Sequence, residues 1–244
     1  MKIIALATII ATATPALCAN LWDAGLDLKA HEFTLNEALS TNSVAAAWSY
    51  GYRPAVAGLD FTPFTIPEHT NALGGYAGLE GWAAGGTAPI IAVNTTASPL
   101  IFNNGPGPTA PLNPNEVFMH PGNGSHPSVL RWTAPAADSY TISTYWQDID
   151  PYGGSGAAGY IVVNGVIAAN GTWANGIGQG FTDSNRTVAL NAGDVVDFVL
   201  DSNGDYFNDS TKFGAVIVPE PATSTLLLAG CGGAALLRRR RFRA

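Results

Sequence analysis

The stretch Tyr140-Thr-Ile-Ser-Thr-Tyr-Trp146 constrains the fold more than any other part of the chain. A period of two puts Tyr140, Ile142, Thr144 and Trp146 on one side of a strand and Thr141, Ser143 and Tyr145 on the other. The same grammar recurs through the second half. Ser128 to Thr133 alternates with Leu130 and Trp132 on one face. Tyr160 to Val163 and Val166 to Ala169 flank Asn164-Gly165, a pair that tolerates the positive φ of a two-residue hairpin turn. Arg186 to Leu190 and Asp194 to Leu200 flank the turn Asn191-Ala-Gly193, and Phe213 to Val218 reads as a closing strand. No long stretch carries the 3.6-residue period of an amphipathic helix. Short strands at this spacing predict an all-β body, a jelly roll or β-sandwich.

The first half is less regular. Ala45 to Tyr50 and Pro89 to Asn94 read as strands; Asp60 to Ile66 does too, but Pro63 restricts it to a sheet edge. Glu32 to Ser40 fits either one helical turn or a strand edge. The turn-rich segment Asn103 to Pro111 is where a boundary would fall if the body were two units. The body assigned here, residues 20–217, is long enough to bury a core without staples. It has to be, because Cys18 and Cys231, the only cysteines, lie outside it. The body holds 17 acidic residues, the first Asp23 and the last Asp209, against 5 basic ones (Lys29, Arg53, Arg131, Arg186 and Lys212), a net of −12. Such a body repels nucleic acid and anionic lipid headgroups. It suits a solvated exported surface or the binding of divalent cations.

Both ends read as targeting segments. Lys2, the apolar run Ile3 to Ala13 and the small residues up to Ala19 describe a secretory signal peptide over residues 1–19. Bulky Leu17 before Cys18 disfavours a lipoprotein signal. At the other end, residues 218–244 open with the rigid Val218-Pro219-Glu220-Pro221 and close with Arg238, Arg239, Arg240, Arg241 and Arg243. Between them Ala222 to Leu237 is predicted to form a transmembrane helix of 16 residues. That is roughly 24 Å at about 1.5 Å per residue, against a hydrocarbon core of about 30 Å. A span so short, with Gly230, Gly232 and Gly233 in it, fits transient handling by a membrane enzyme better than permanent anchoring. The arginines hold the C-terminus in the cytoplasm.

These three parts in this order resemble the PEP-CTERM sorting signal of exported bacterial proteins. The resemblance implies signal peptidase and exosortase as partners, cleavage near Pro-Glu-Pro, passage through the inner membrane, and delivery to the cell surface or extracellular matrix. The body has its own resemblance, carried by Trp48-Ser-Tyr-Gly51, His120-Pro-Gly122, Arg131 to Pro135 with Tyr140, Val163-Asn-Gly165, Ala192-Gly-Asp194 with Asp197-Phe198, and Asp209-Ser-Thr211. It is similar to galactose-binding-like domains of the kind found in carbohydrate-binding modules.

Two kinds of site are then expected. Asp201, Asn203, Asp205 and Asp209 concentrate oxygen ligands in one loop at a spacing reminiscent of calcium loops. The loop departs from the EF-hand, with glycine at position four and Lys212 at position twelve, so a solvated turn stands beside the calcium reading. Asp148 and Asp150 are placed where they could converge on the same sandwich edge. For sugar stacking the loop-like aromatics are Trp82, Tyr152, Trp173 and Tyr206, each weighed against packing over the sandwich rim; Trp48, Trp132 and Trp146 are assigned to the core. Catalytic grammar is lacking: there is no Gly-x-Ser-x-Gly, His-Glu-x-x-His or phosphate loop. Asp148 with Asp150 as a glycosidase pair, and His120 with His126 as a metal pair, are the weaker enzymatic readings. No catalytic residue and no required cofactor is assigned. The expectation is an exported, exosortase-processed, non-catalytic surface or matrix protein that binds polysaccharide. The alternatives are a secreted glycan-active hydrolase and a ligand-free structural coat protein.

Overall fold

The computed structural model describes residues 21–30, 47–65, 69–86, 88–104, 107–124, 126–151 and 153–220. The expected signal peptide, the Glu32 to Ser40 stretch, Tyr152, the 222–237 helix and the terminal arginines lie outside the described residues. Among the described residues no helix is long and apolar enough to cross a membrane.

One short helix, α1 (Ala24–Ala30), follows strand β1 (Trp22–Asp23). Among the described residues the remaining elements are strands and short 3-10 turns such as Leu73–Gly75 and Ala84–Gly86. The strands are β2 (Trp48–Tyr52), β3 (Thr62–Pro63), β4 (His69–Thr70), β5 (Leu79–Ala83), β6 (Ile90–Asn94), β7 (Asn103–Asn104), β8 (Gly107–Pro108) and β9 (Val117–His120). They continue with β10 (Ser128–Thr133), β11 (Asp138–Asp148), β12 (Ala157–Val163), β13 (Val166–Trp173), β14 (Gly180–Leu190), β15 (Val195–Asp201) and β16 (Thr211–Pro219). All pairings are antiparallel. One sheet runs β14-β11-β16-β9-β6-β5-β4, with β1 also on β16; the second runs β13-β12-β15-β10-β2-β3; β7 and β8 form a separate ribbon. The architecture is an all-β sandwich.

The alternation of β11 is realised residue by residue: Tyr140, Ile142, Thr144, Trp146 and Asp148 are buried and the residues between them are not. These side chains meet those of the other sheet in a core built on rings. Trp132 packs edge-on to Tyr140 at 4.9 Å and to Trp22 at 5.3 Å, and Trp146 meets Phe213 at 5.0 Å. Trp48, Trp132 and Trp146 are all buried, as their strand positions require. Asn164 and Gly165 turn at φ +48° and +82° between β12 and β13, the hairpin read from the sequence. β3, with Pro63, is an edge strand. Leu21–Glu220 forms one compact unit, and β6 and β9 pair directly, with the β7–β8 ribbon between them in sequence.

Two features were not visible in the strand pattern. The turn Asn191-Ala-Gly193 does not close a hairpin; it carries the chain from β14 in one sheet to β15 in the other. And β15 is buried on both faces: a second small cluster, Val129, Val162 and Val199 with Phe61 packed on it, lies apart from the main core. Arg53 and Asp197 are fully buried there, joined at 2.7 Å. Arg131 adds a two-pronged contact to the same carboxylate at 2.7 and 3.0 Å and lies under the Phe61 ring at 4.4 Å. Arg53 Nη1 also donates to Gly58 O at 2.8 Å, which ties that loop to the network.

Crossings between sheets position the candidate site. The pairs Gln147↔Gly180, Asp148↔Thr211, Ala157↔Trp173 and Ala158↔Asp201 place the ends of β11, β13 and β15 together. Loops 149–156, 174–179 and 202–210, each of which switches sheets, therefore emerge from one edge of the sandwich.

Candidate functional site

The three loops are packed on one another. Gly154, at φ +71°, has no room for a side chain: a Cβ there would stand 2.1 Å from Phe207 O and 2.6 Å from Asn175 Nδ2. Ser155 Oγ accepts the Asp205 N–H at 2.9 Å, and Asn175 Nδ2 donates to Phe207 O at 3.3 Å. On top of this base the third loop presents two adjacent rings. Phe207 is 61 % exposed, and Tyr206 lies beside it with ring centroids 4.7 Å apart. Tyr206 is half-buried, its other contact being an edge-on one with His120 at 6.2 Å. Asn203 and Asp205 are exposed next to the rings. Asp205 Oδ1 accepts the Phe207 N–H at 3.1 Å, which fixes the backbone that carries the pair.

Beneath the rings lies a set of buried acids. Asp148 is tied down at both oxygens, by Asp150 N–H at 2.8 Å and Gly176 N–H at 2.7 Å. Asp150 Oδ2 accepts Ser210 N–H at 2.8 Å, but its Oδ1 has no hydrogen-bond partner. Asp209 is fully buried and neither of its oxygens has one. Asn175 Oδ1 is buried and unpartnered as well. Burial, and after it the charges of Asp205, Asp148, Asp150 and Asp201, push the Asp209 carboxyl up to about 8. Asp148 is pushed up to about 6, mainly by burial, which its N–H donors partly offset. Burial also raises Asp201 at the end of β15.

Of the calcium-loop residues read from the sequence, only Asp209 is fully buried; Asn203 and Asp205 face solvent and Asp201 is intermediate. The acids that accompany Asp209 are Asp148 of β11 and Asp150 of the loop after it, the two expected to converge on the same edge. Among the described residues no three carboxylates, imidazoles or thiolates stand together at metal-binding spacing. His120 Nδ1 and His126 Nδ1 each contact a carbonyl of their own loop, at 2.8 and 3.0 Å. Asp148 and Asp150, 1 % and 0 % exposed, are closed to a substrate.

Two of the four expected stacking residues are corrected. Trp82 lies in β5, 7 % exposed, stacked on Tyr50 at 5.1 Å and parallel to Phe64 at 6.3 Å. Its neighbour Gly81 resembled a loop residue but is there because a Cβ would stand 2.1 Å from Ile91 O of β6. Trp173 closes β13 and is 6 % exposed in the core. Tyr206 alone of the described candidates keeps an accessible ring. Phe207, its sequence neighbour, was overlooked; the signal was the Tyr-Phe pair within a run of Asn, Asp and Gly.

A concavity of about 310 Å³ lies on the outer face of the eight-stranded sheet around Tyr145, with Ser143, Thr182, Ser184, Asp23 and Asn115 on its walls. Tyr145 lies over Gly214, where a Cβ would stand 2.3 Å from Tyr145 Cε1. Its hydroxyl points to Glu116 at 3.5 Å, and burial and that carboxylate raise its pKa.

The last strand leads into the tail. Pro219 pairs with Tyr140, and Glu220 N–H donates to Ser139 O at 2.7 Å. The chain is thus an all-β sandwich whose final strand runs directly into a C-terminal export tail. Residues 218–241 match the PEP-CTERM protein-sorting motif, which marks the chain as an exported protein. A search of curated protein sequences returns no significant match. Among solved structures the chain is similar to the carbohydrate-binding module CBM51 of Clostridium perfringens GH95, in complex with methyl-galactose, at 11 % identity over 49 % of this chain and 79 % of that one, TM-score 0.33. It is also similar to a family 35 carbohydrate-binding module of Clostridium thermocellum, at 16 % identity over 49 % of this chain and 98 % of that one, TM-score 0.26.

Proposed function

We propose that this is an exosortase-processed, non-catalytic surface or matrix protein that grips polysaccharide with the loop edge of its sandwich. The observation that carries the reading is the Tyr206–Phe207 pair, an exposed ring beside a half-buried one, on a loop fixed by Asp205 and Ser155. Pyranose rings present flat C–H faces that stack on such surfaces, while Asn203 and Asp205 offer the polar groups that orient hydroxyls. Processing by an exosortase rests on the sorting motif; the extended Pro219–Glu220 segment suits a protease-like cleft. A hydrolase reading finds no support in Asp148 and Asp150, whose carboxylates are buried and hydrogen-bonded. A ligand-free coat protein would leave the exposed Phe207 ring without a task.

The test is affinity electrophoresis of the full-length, detergent-solubilised chain in gels cast with soluble plant, algal and bacterial polysaccharides. Retardation by at least one polysaccharide is expected, weakened about tenfold or more by Tyr206→Ala or Phe207→Ala, a change of about 1.4 kcal/mol. No retardation in any gel would remove the polysaccharide reading. Loss in Tyr145→Ala with the loop variants unchanged would move the site to the sheet groove.

A further inference from the structure

The buried acids under the rings have a chemistry of their own. Four buried oxygens there lack a hydrogen-bond partner: both of Asp209, Oδ1 of Asp150 and Oδ1 of Asn175. All are acceptors, and Asp209 and Asp150 are 0 % exposed. An unpaired carboxylate in an apolar interior is costly unless it meets a cation or takes up a proton. The basic residues of the body are committed elsewhere: Arg53 and Arg131 to Asp197, Arg186 to Asp183, Lys212 to Glu116 and Lys29 to Asn115. None of these five reaches this edge; the one basic side chain beside it is His120, which burial holds below the usual imidazole range although Asp150 is near enough to oppose that, and it leaves Asp209 unpaired.

We infer that Asp209 and Asp150, with Asn175 Oδ1 as a neutral oxygen, form a site for a hard divalent cation of the calcium type. The donor set is all oxygen, which selects calcium or magnesium over the softer metals. Two carboxylates do not complete a cage of about 6–8 oxygens, so backbone carbonyls of the same loops and water supply the remainder. The flexible number and longer bonds of calcium suit this irregular edge better than the strict octahedron of magnesium. Asp150 comes from the loop after β11, Asn175 from the loop after β13 and Asp209 from the loop before β16. One ion therefore clamps all three, including the loop that carries Tyr206 and Phe207. The site stands independently of glycan recognition, since no feature of it depends on a sugar.

The experiment uses the full-length chain in detergent, stripped with chelator and titrated with calcium chloride, and reads the melting temperature and terbium luminescence sensitised by nearby rings. Calcium at a hundredfold above its Kd should raise the midpoint by roughly 5–10 °C. Asp209→Asn and Asp150→Asn should each abolish the rise and the terbium signal. Asp209→Asn folds in chelator at pH 7, because it removes a buried carboxylate rather than a contact, so loss of the rise is not loss of the fold. Identical wild-type curves in calcium and chelator would overturn the proposal. So would a calcium response undiminished in both variants. Because no polysaccharide enters this assay, its outcome is separate from that of the affinity gels.

Discussion

Replacing Asp197 by alanine tests the energetic reasoning about this fold most severely. Asp197 and Arg53 are 0 % exposed, and Arg131 is 15 % exposed. One carboxylate serves two guanidinium groups. Removing it strands a fully buried cation and a mostly buried one, and breaking a buried pair in this way costs about 3–5 kcal/mol. Removing Arg131 instead leaves Asp197 paired with Arg53 and forfeits a hydrogen-bonded pair and a ring contact at the surface, about 1–3 kcal/mol. The order Asp197→Ala well above Arg131→Ala follows from which charge is left alone, not from how many bonds are lost. For a domain of this size the larger cost corresponds to roughly 6–20 °C in the melting midpoint. Urea melts of both variants, followed by tryptophan fluorescence, give the comparison. The apolar double variant Asp197→Leu/Arg53→Met should recover more than half the loss, because it leaves no stranded charge at that pair. Equal costs for Asp197→Ala and Arg131→Ala would refute the reasoning, as would a double variant no more stable than Asp197→Ala.

Three further outcomes are expected. In chelator, Asp209 stays protonated in the folded state up to about 8 while its unfolded counterpart ionises near 3.8, so its contribution to stability is lost as pH rises between those values. Midpoints of wild type minus Asp209→Asn should therefore fall across that window, by up to about 1.4 kcal/mol per pH unit; a flat difference would count against it. Gly214→Ala should cost about 1–3 kcal/mol through collision with Tyr145, and much less in a Tyr145→Ala background; equal costs in the two backgrounds would contradict the contact. Asn164→Ala loses both tolerance of φ +48° and the bond from Val195 N–H to Asn164 Oδ1 at 2.9 Å, for about 1–3 kcal/mol. Asn164→Gly, which keeps the turn, should cost less; denaturant midpoints decide.

What was legible in the sequence was local. The side-chain period of β11, the Asn164-Gly165 turn and the edge position forced by Pro63 depend on neighbours within a few residues, and each is found where it was read. The burial of Trp48, Trp132 and Trp146 follows from the same alternation. Trp82 was misread because Gly81 looks like a loop residue while serving a close strand contact. The network of Arg53, Asp197 and Arg131 was hidden because its members are up to 144 positions apart. The acid edge was half legible for the same reason. Asp209 sits in an obvious Asn/Asp run, but its companions come from a loop some sixty residues earlier, brought there by strand register. Side chains that depend on register across two sheets leave no periodic trace.

β16 is not a peripheral strand. It lies between β11 and β9, is in register with β11 from Thr211 to Pro219, and continues without a linker into the sorting motif. A pull applied at Glu220 along β16 consequently enters the domain through a strand that is paired on both sides. The load falls in shear on the ladder to β11 as a whole, not on one bond at a time as in peeling an edge. Resistance of this kind is set by the unfolding rate rather than by equilibrium stability.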